Sequence, residues 1–301
     1  MEIPSLPDAA VRPVRAAVRR AVRRILAGSA DGQPPWVSAL SEPGDAGWFG
    51  PGSAVWAVHG SLSTLVGGAR ALLLQSAHPL ALAGVQQHSD YRSDALARLQ
   101  RTNRFVTTTT YGSSAQAAAA VDRVRAVHRV VRGTAPDGRP YAADDPHLLL
   151  WVHLALADSM LAAARRYGPR HVDGDAYVAE SAVTARRLGI PDPPTTEHAL
   201  AVALDSYRAE LACDGNTREV VRFLLAPPLP VAAQPAYQVI ARAAVDLLPS
   251  WAPGLLGLPD RPGAVRAADE AACRLLFDVL GALLGPSGPA EQAALRRAEG
   301  A

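Results

Sequence analysis

Apolar residues recur every three or four positions along most of this chain, and proline and glycine clusters divide the pattern into segments of helical length. Aromatic residues make up only 5% of the chain, and hydrophobic residues make up 49%. Such a composition favours helices packed on helices. The sequence therefore predicts an all-α protein with a single large helical domain. The predicted helices are at 53–77, 92–109, 113–133, 145–168, 174–188, 195–213, 216–225, 233–247, 262–285 and 289–299.

A further amphipathic helix is predicted from Ala9 to Ala27, where valines and an isoleucine share one face and six arginines occupy the rest. We interpret it as a helix docked on the core with a solvated basic face, and a helix on a membrane surface is the alternative. The predicted organisation is an N-terminal helix and loop (1–44), a main helical unit (45–250) and C-terminal helices packed on the same domain (251–301).

Charge and cysteine content exclude several classes of protein. The formal net charge is +2 in 301 residues, which gives no electrostatic basis for nucleic-acid binding. The two cysteines, Cys213 and Cys273, are too few for a disulfide framework and are predicted to be small buried hydrophobes. The apolar stretch 53–79 contains Arg70, so we expect a buried helix there and no integral membrane segment. Without a signal-peptide pattern, the expected location is the cytoplasm.

Two histidines on apolar helix faces are candidate ligands. His128 shares its face with Val121, Val124 and Val131, and His153 has leucines at the corresponding positions. Such a histidine is often a core residue satisfied by a hydrogen bond. A single imidazole is nevertheless all that a b-type haem requires on its proximal side. His78, at a helix end before a proline, is a further candidate.

A second group, Arg98, Arg101 and Thr102, falls at i, i+3 and i+4 and would share one helix face. Two guanidinium groups and a hydroxyl can bind an acidic cofactor edge such as haem propionates, or can position a bound oxygen species. The alternative is a solvated face paired with Asp90 or Asp94.

Several long, ordered motifs resemble the oxygenase family that includes the latex-clearing rubber oxygenases and the fungal MpaB-type enzymes. The resemblance covers about residues 45–250. It is carried by Ser53–Trp56, Gly67–Pro79, Gly84–Tyr91, Arg98–Thr102, the helix containing His128, Tyr141–Pro146 and Trp151–His153.

This resemblance implies a globin-like helical core around a b-type haem whose iron is held by one histidine. Arg98 and Thr102 match the family's Arg-x-x-x-Thr pair beside the haem, and His128 matches the proximal ligand. Arg101 falls where the rubber-cleaving members carry a lysine that approaches the iron. His153 matches a later family histidine, which makes it a candidate cofactor contact.

Two departures from the rubber-cleaving members argue against polyisoprene cleavage. Arg125 stands where those enzymes have a second histidine, one turn before the proximal one. No equivalent of their distal glutamate precedes Arg98, where the polar residues are Gln86, Gln87 and His88.

The resulting functional hypothesis is a haem b-dependent oxygenase that uses molecular oxygen or peroxide on an apolar small molecule, such as an isoprenoid. Arg98, Arg101 and Thr102 are its candidate catalytic residues, and His128 is its candidate metal ligand. The alternatives are a non-catalytic haem- or lipid-binding helical protein and a helical scaffold without a cofactor.

Overall fold

Proline and glycine punctuation separates fifteen α-helices in the part of the chain that the computed structural model describes, residues 8–29, 34–89, 95–169, 171–285 and 287–299. The helices are α1 (Asp8–Ala27), α2 (Pro35–Ala39), α3 (Ala54–His59), α4 (Thr64–Gln75), α5 (Pro79–His88), α6 (Ala95–Tyr111), α7 (Ser114–His128), α8 (Pro146–Tyr167), α9 (Gly174–Leu188), α10 (Glu197–Ser206), α11 (Gly215–Leu225), α12 (Gln234–Asp246), α13 (Ala252–Leu255), α14 (Gly263–Leu284) and α15 (Pro289–Glu299). Two short 3-10 helices span Tyr207–Ala209 and Val231–Ala233.

The all-α prediction is confirmed, with one small exception. Strands β1 (Arg132–Thr134) and β2 (Pro140–Ala142) form an antiparallel hairpin in which Gly133 pairs with Tyr141. The turn that joins them contains Gly138, which has φ +87°. The helix predicted over 113–133 is therefore wrong beyond His128. Strands of three residues are too short to show an alternating pattern.

The predicted helices at 145–168 and 174–188 are confirmed as α8 and α9, and that at 216–225 as α11. Each begins after an aspartate whose carboxylate accepts a hydrogen bond from a backbone N–H of the first turn: Asp145, Asp173 and Asp214. These N-caps satisfy donors that the helix itself leaves unpaired. The predictions at 233–247, 262–285 and 289–299 are likewise confirmed, as α12, α14 and α15.

The single helix predicted over 53–77 is wrong, because the structure divides it into α3 and α4. Between them, the Ser61 hydroxyl accepts a hydrogen bond from the Ser63 N–H at 3.2 Å, and the Thr64 hydroxyl donates to the Ser61 carbonyl at 2.8 Å. Hydroxyl side chains compete in this way with the helical hydrogen bonds. Helix α5 was not predicted, although Pro79 in its first turn is a favourable helix start.

The long helices α4 and α8 pack together at the centre of the main core. A Cβ at Gly67 of α4 would lie 2.8 Å from the Met160 sulfur, so glycine permits the close approach. Arg70 is only 3% exposed. Its guanidinium lies 2.7 Å from Asp158 and donates to the Ser159 hydroxyl and the Leu247 carbonyl at 2.7 Å each. The buried charge is thus paired, as its position requires.

By length and composition α8 could cross a membrane, and α14 with α15 would meet the same criteria only as one bent pair. In α8, however, 56% of the apolar window is buried inside the protein, which is typical of a core helix.

Near each end of the described chain, an arginine side chain donates hydrogen bonds to backbone carbonyls elsewhere in the fold. Arg19 of α1 donates to the Leu283 carbonyl of α14 at 2.9 Å, so the N-terminal helix contacts α14. Arg297 of α15 is buried and donates to the backbone carbonyls of Leu40, Asp45 and Tyr111. Neither cysteine is in a disulfide. Cys273 is buried as predicted, whereas Cys213 is half-buried.

Candidate functional site

His128 is the last residue of α7. That helix begins with a capping box, in which Ser113 and Gln116 exchange side-chain and backbone hydrogen bonds. The buried stripe of α7 includes Ala117 and Val121 and runs towards His128, whose side chain is half-buried. The predicted inward orientation is therefore only partly realised, because the helix ends at this residue.

Burial lowers the pKa of His128, and the nearby charge of Asp144 opposes that shift. Neither ring nitrogen of His128 has a hydrogen-bond partner among the described residues. A neutral imidazole without a protein partner has a free lone pair, which is the form that binds a metal.

The end of α5 and the β-hairpin lie beside the segment that follows His128. His88 Nε2 lies 3.1 Å from the Arg132 carbonyl oxygen, so this nitrogen carries the hydrogen and donates it. Gln87 donates to the Thr134 carbonyl at 2.9 Å and accepts from the Tyr141 hydroxyl at 2.6 Å. Two of the three polar residues in the stretch that lacks the distal glutamate, Gln87 and His88, thus hydrogen-bond to the hairpin.

The start of α6 reaches the same region through Arg98, which is half-buried and donates to the Ser89 hydroxyl at 3.2 Å. Ser89 directly follows His88. Arg101 and Thr102, predicted to share a face with Arg98, are both exposed. Asp90 and Asp94, the two aspartates predicted as alternative partners of this helix face, lie outside the described residues.

Arg125, one turn before His128, is exposed, and its guanidinium lies 3.5 Å from the Arg187 carbonyl at the end of α9. With Arg187, Trp48 and Val121 it borders a cavity of about 150 Å³, which is smaller than usual small-molecule sites of roughly 300–1,000 Å³. The Arg125 side chain therefore contributes to the contact between α7 and α9.

His153 lies on α8, whose main packing partners are α4, α9 and α10. Its Nε2 is buried and has no hydrogen-bond partner, and burial lowers the pKa of His153 to about 4. His153 is therefore a half-buried histidine whose Nε2 is left unsatisfied, on a different helix from His128.

Sequence reasoning did not identify a third group, His78, His147 and Glu210, whose ligand atoms all lie within 4.8 Å of one another. The three residues come from separate elements, so no local spacing connects them. Burial lowers the pKa of His78, and the Glu210 carboxylate opposes the shift.

The family model described as ER-bound oxygenase mpaB/B'/rubber oxygenase, catalytic domain, matches residues 56–284. The chain belongs to this oxygenase family. The match contains Arg98, His128 and His153, together with His78, His147 and Glu210. Helices α1, α2 and α15 lie outside the matched segment of this family. No curated protein and no solved structure shows significant similarity to the chain.

Proposed function

We propose that this chain is a haem b-dependent oxygenase that acts on an apolar small molecule, with His128 as the iron ligand. The observation that carries the proposal is the half-buried imidazole of His128, kept neutral by burial and left without a hydrogen bond among the described residues of an oxygenase-family domain.

The donor chemistry around His128 fits a haem. A neutral imidazole is the usual proximal ligand, and a half-buried arginine suits a propionate. Arg98, beside Ser89, would hold one propionate, with Thr102 adding a hydroxyl one turn along the same helix. A bound haem b would supply the activation of molecular oxygen or peroxide.

The remaining polar residues have limited roles in proton transfer. Arg101 would donate hydrogen bonds to oxygen, but a guanidinium does not give up its proton and cannot act as a base. His88 donates through Nε2 to the hairpin, which leaves its Nδ1 as the proton acceptor. An apolar substrate would be held by the helix walls, which exclude water from the reacting atoms. We also propose that the enzyme is cytoplasmic and has no integral membrane segment, with α8 as a core helix.

A second candidate function, haem binding without turnover, is favoured by one observation. In the stretch where the rubber-cleaving members have their distal glutamate, Gln87 and His88 both hydrogen-bond to the hairpin. If Nδ1 of His88 does not act as the base, the protein could bind haem without transforming a substrate.

Oxygen uptake separates the two functions. Haem-reconstituted protein is incubated aerobically with a panel of isoprenoids, and oxygen consumption and ¹⁸O₂ incorporation are measured. We expect uptake and labelled product from the wild type and from His198→Ala, an exposed-histidine control on α10, and neither from His128→Ala. Haem binding without uptake across the panel would support the non-catalytic function. A wild type that binds no haem would contradict both.

A further inference from the structure

The group His78, His147 and Glu210 lies where three elements meet. His78 precedes the first residue of α5, His147 is in the first turn of α8, and Glu210 follows the 3-10 helix after α10. His147 Nε2 lies 2.9 and 3.0 Å from the two Glu210 oxygens, and His78 Nε2 lies 3.5 Å from Oε2 of Glu210. Ligands held about 2.1 Å from a metal ion are roughly 3.0–3.5 Å apart in tetrahedral or octahedral geometry.

His78 provides independent evidence for a ligand at this point. Its residue exposure is 0%, and neither ring nitrogen has a hydrogen-bond partner. The rings of Trp151 and Tyr207 lie 6.0 and 6.3 Å from its own ring and form part of its apolar surroundings. Its one polar contact among the described residues is the long 3.5 Å approach to Glu210, and a buried imidazole without a hydrogen bond carries a desolvation cost that a bound cation would offset.

The hydrogen bonds between His147 and Tyr207 orient Nε2 of His147 towards the same point. The Tyr207 hydroxyl lies 2.8 Å from the His147 carbonyl, which can only accept, so the phenol hydrogen is donated there. The Tyr207 oxygen must then accept from Nδ1–H of His147, at 3.1 Å. This leaves Nε2 facing the Glu210 carboxylate, a contact that requires either a second proton or a metal ion between them.

We propose that His78, His147 and Glu210 bind one divalent transition-metal ion of the Fe²⁺ to Zn²⁺ series. Two imidazoles and one carboxylate suit these metals, and the Tyr207 contact is the kind that fixes a ligating histidine from outside. The side chains of His147 and Glu210 are 52% and 37% exposed, so further coordination positions face solvent. Arg139, the cation whose charge reaches His78, is paired with Asp137 at 2.8 Å.

This site shares no residue with the proposed haem site, and the two can succeed or fail separately. Protein is treated with EDTA and titrated with Zn²⁺ by calorimetry and with Co²⁺ by visible absorption, and non-haem metal is counted separately from haem iron. We expect one Zn²⁺ per chain. His147→Ala and Glu210→Gln should weaken binding at least about 100-fold, and Tyr207→Phe about 10-fold. The control His198→Ala should bind like the wild type.

Both ligand variants alter side chains that are more than one-third exposed, and circular dichroism checks that they fold. Zn²⁺ should raise the Tm of the wild type and of His198→Ala, but not that of His147→Ala. No Zn²⁺ binding by the wild type, or unchanged binding in both ligand variants, would show that the cluster is an ion pair only and would overturn the proposal.

Discussion

His59 and His128 are each the last residue of a helix, α3 and α7, and both are half-buried, but their surroundings differ. His59 Nδ1 lies 2.8 Å from the Thr110 hydroxyl, and its Nε2 lies 3.2 Å from the Tyr177 hydroxyl. His128 has no such partner among the residues described. Burial lowers the pKa of both histidines, to about 4 for His59.

The difference shows that burial alone does not identify a ligand. His59 is a structural histidine whose nitrogens are both engaged by the protein, and its loss leaves two hydroxyls unpaired. Among the described residues no group bonds to the ring nitrogens of His128, and such an imidazole is able to bind a metal or cofactor.

The largest expected stability effect is at His59. His59→Ala should lower the free energy of unfolding by about 3 kcal/mol, because it creates a cavity and orphans the hydroxyls of Thr110 and Tyr177. His128→Ala, in haem-free protein, should cost less than about 1 kcal/mol. Urea denaturation measures the free energy of unfolding of both variants. Equal losses of stability would contradict the expected difference between the two histidines.

The pH dependence of stability gives a second test of His59. Its pKa is about 4 in the folded protein, against an ordinary value of 6.5. Between these values the unfolded chain binds the extra proton, so stability falls as the pH decreases from 6.5 to 4. The expected slope is up to about 1.4 kcal/mol per pH unit for this histidine.

His153 has the same folded pKa and should add an equal slope. His59→Gln is therefore expected to remove about half of the combined contribution of these two residues between pH 4 and 6.5. Denaturation curves at several pH values test this, and a slope identical to that of the wild type would show that His59 does not titrate as described.

A smaller effect is expected from Tyr177→Phe, which removes only the hydroxyl opposite His59 Nε2. One buried hydrogen bond is worth about 1 kcal/mol. Chemical denaturation measures the loss, with Tyr237→Phe as a second buried-hydroxyl variant, because Tyr237 donates to the Leu224 carbonyl. No loss in Tyr177→Phe would mean that the contact to His59 contributes nothing.

The smallest expected effect is at Arg125, the departure from the rubber-cleaving members. Arg125→Ala should change the free energy of unfolding by less than about 0.5 kcal/mol, because the side chain is exposed and its bond to the Arg187 carbonyl is long. Haem affinity should also be unchanged. A large loss of haem binding would place Arg125 in the site.

Much of the fold could be predicted from local patterns, because helix periodicity and caps such as Asp145 and Asp173 are local. The break at Gly60–Ser63 and the hairpin at 132–142 were missed, since they depend on hydroxyl hydrogen bonds and on pairing of very short strands. Periodicity placed His128 on the inward stripe of α7 but could not reveal that the helix ends there.

The candidate sites likewise differ in how much of each the sequence could predict. His128, Arg98 and Thr102 were predicted because family motifs connect them along the sequence. His147 and Glu210 lie 63 positions apart and come together only through the packing of α8 against α10. No spacing rule relates them to His78, so the cluster could not have been found without the tertiary structure.

The role of His128 as the iron ligand is tested most directly by the absorption spectrum of haem-titrated protein, comparing the wild type with His128→Ala and the control His198→Ala. We expect a saturable Soret band at one haem per chain in the wild type and in the control. In His128→Ala, the band should be lost or shifted, and imidazole added to the solution should restore it. An unchanged spectrum and affinity in His128→Ala would contradict the assignment, and His153 would then be the ligand to test.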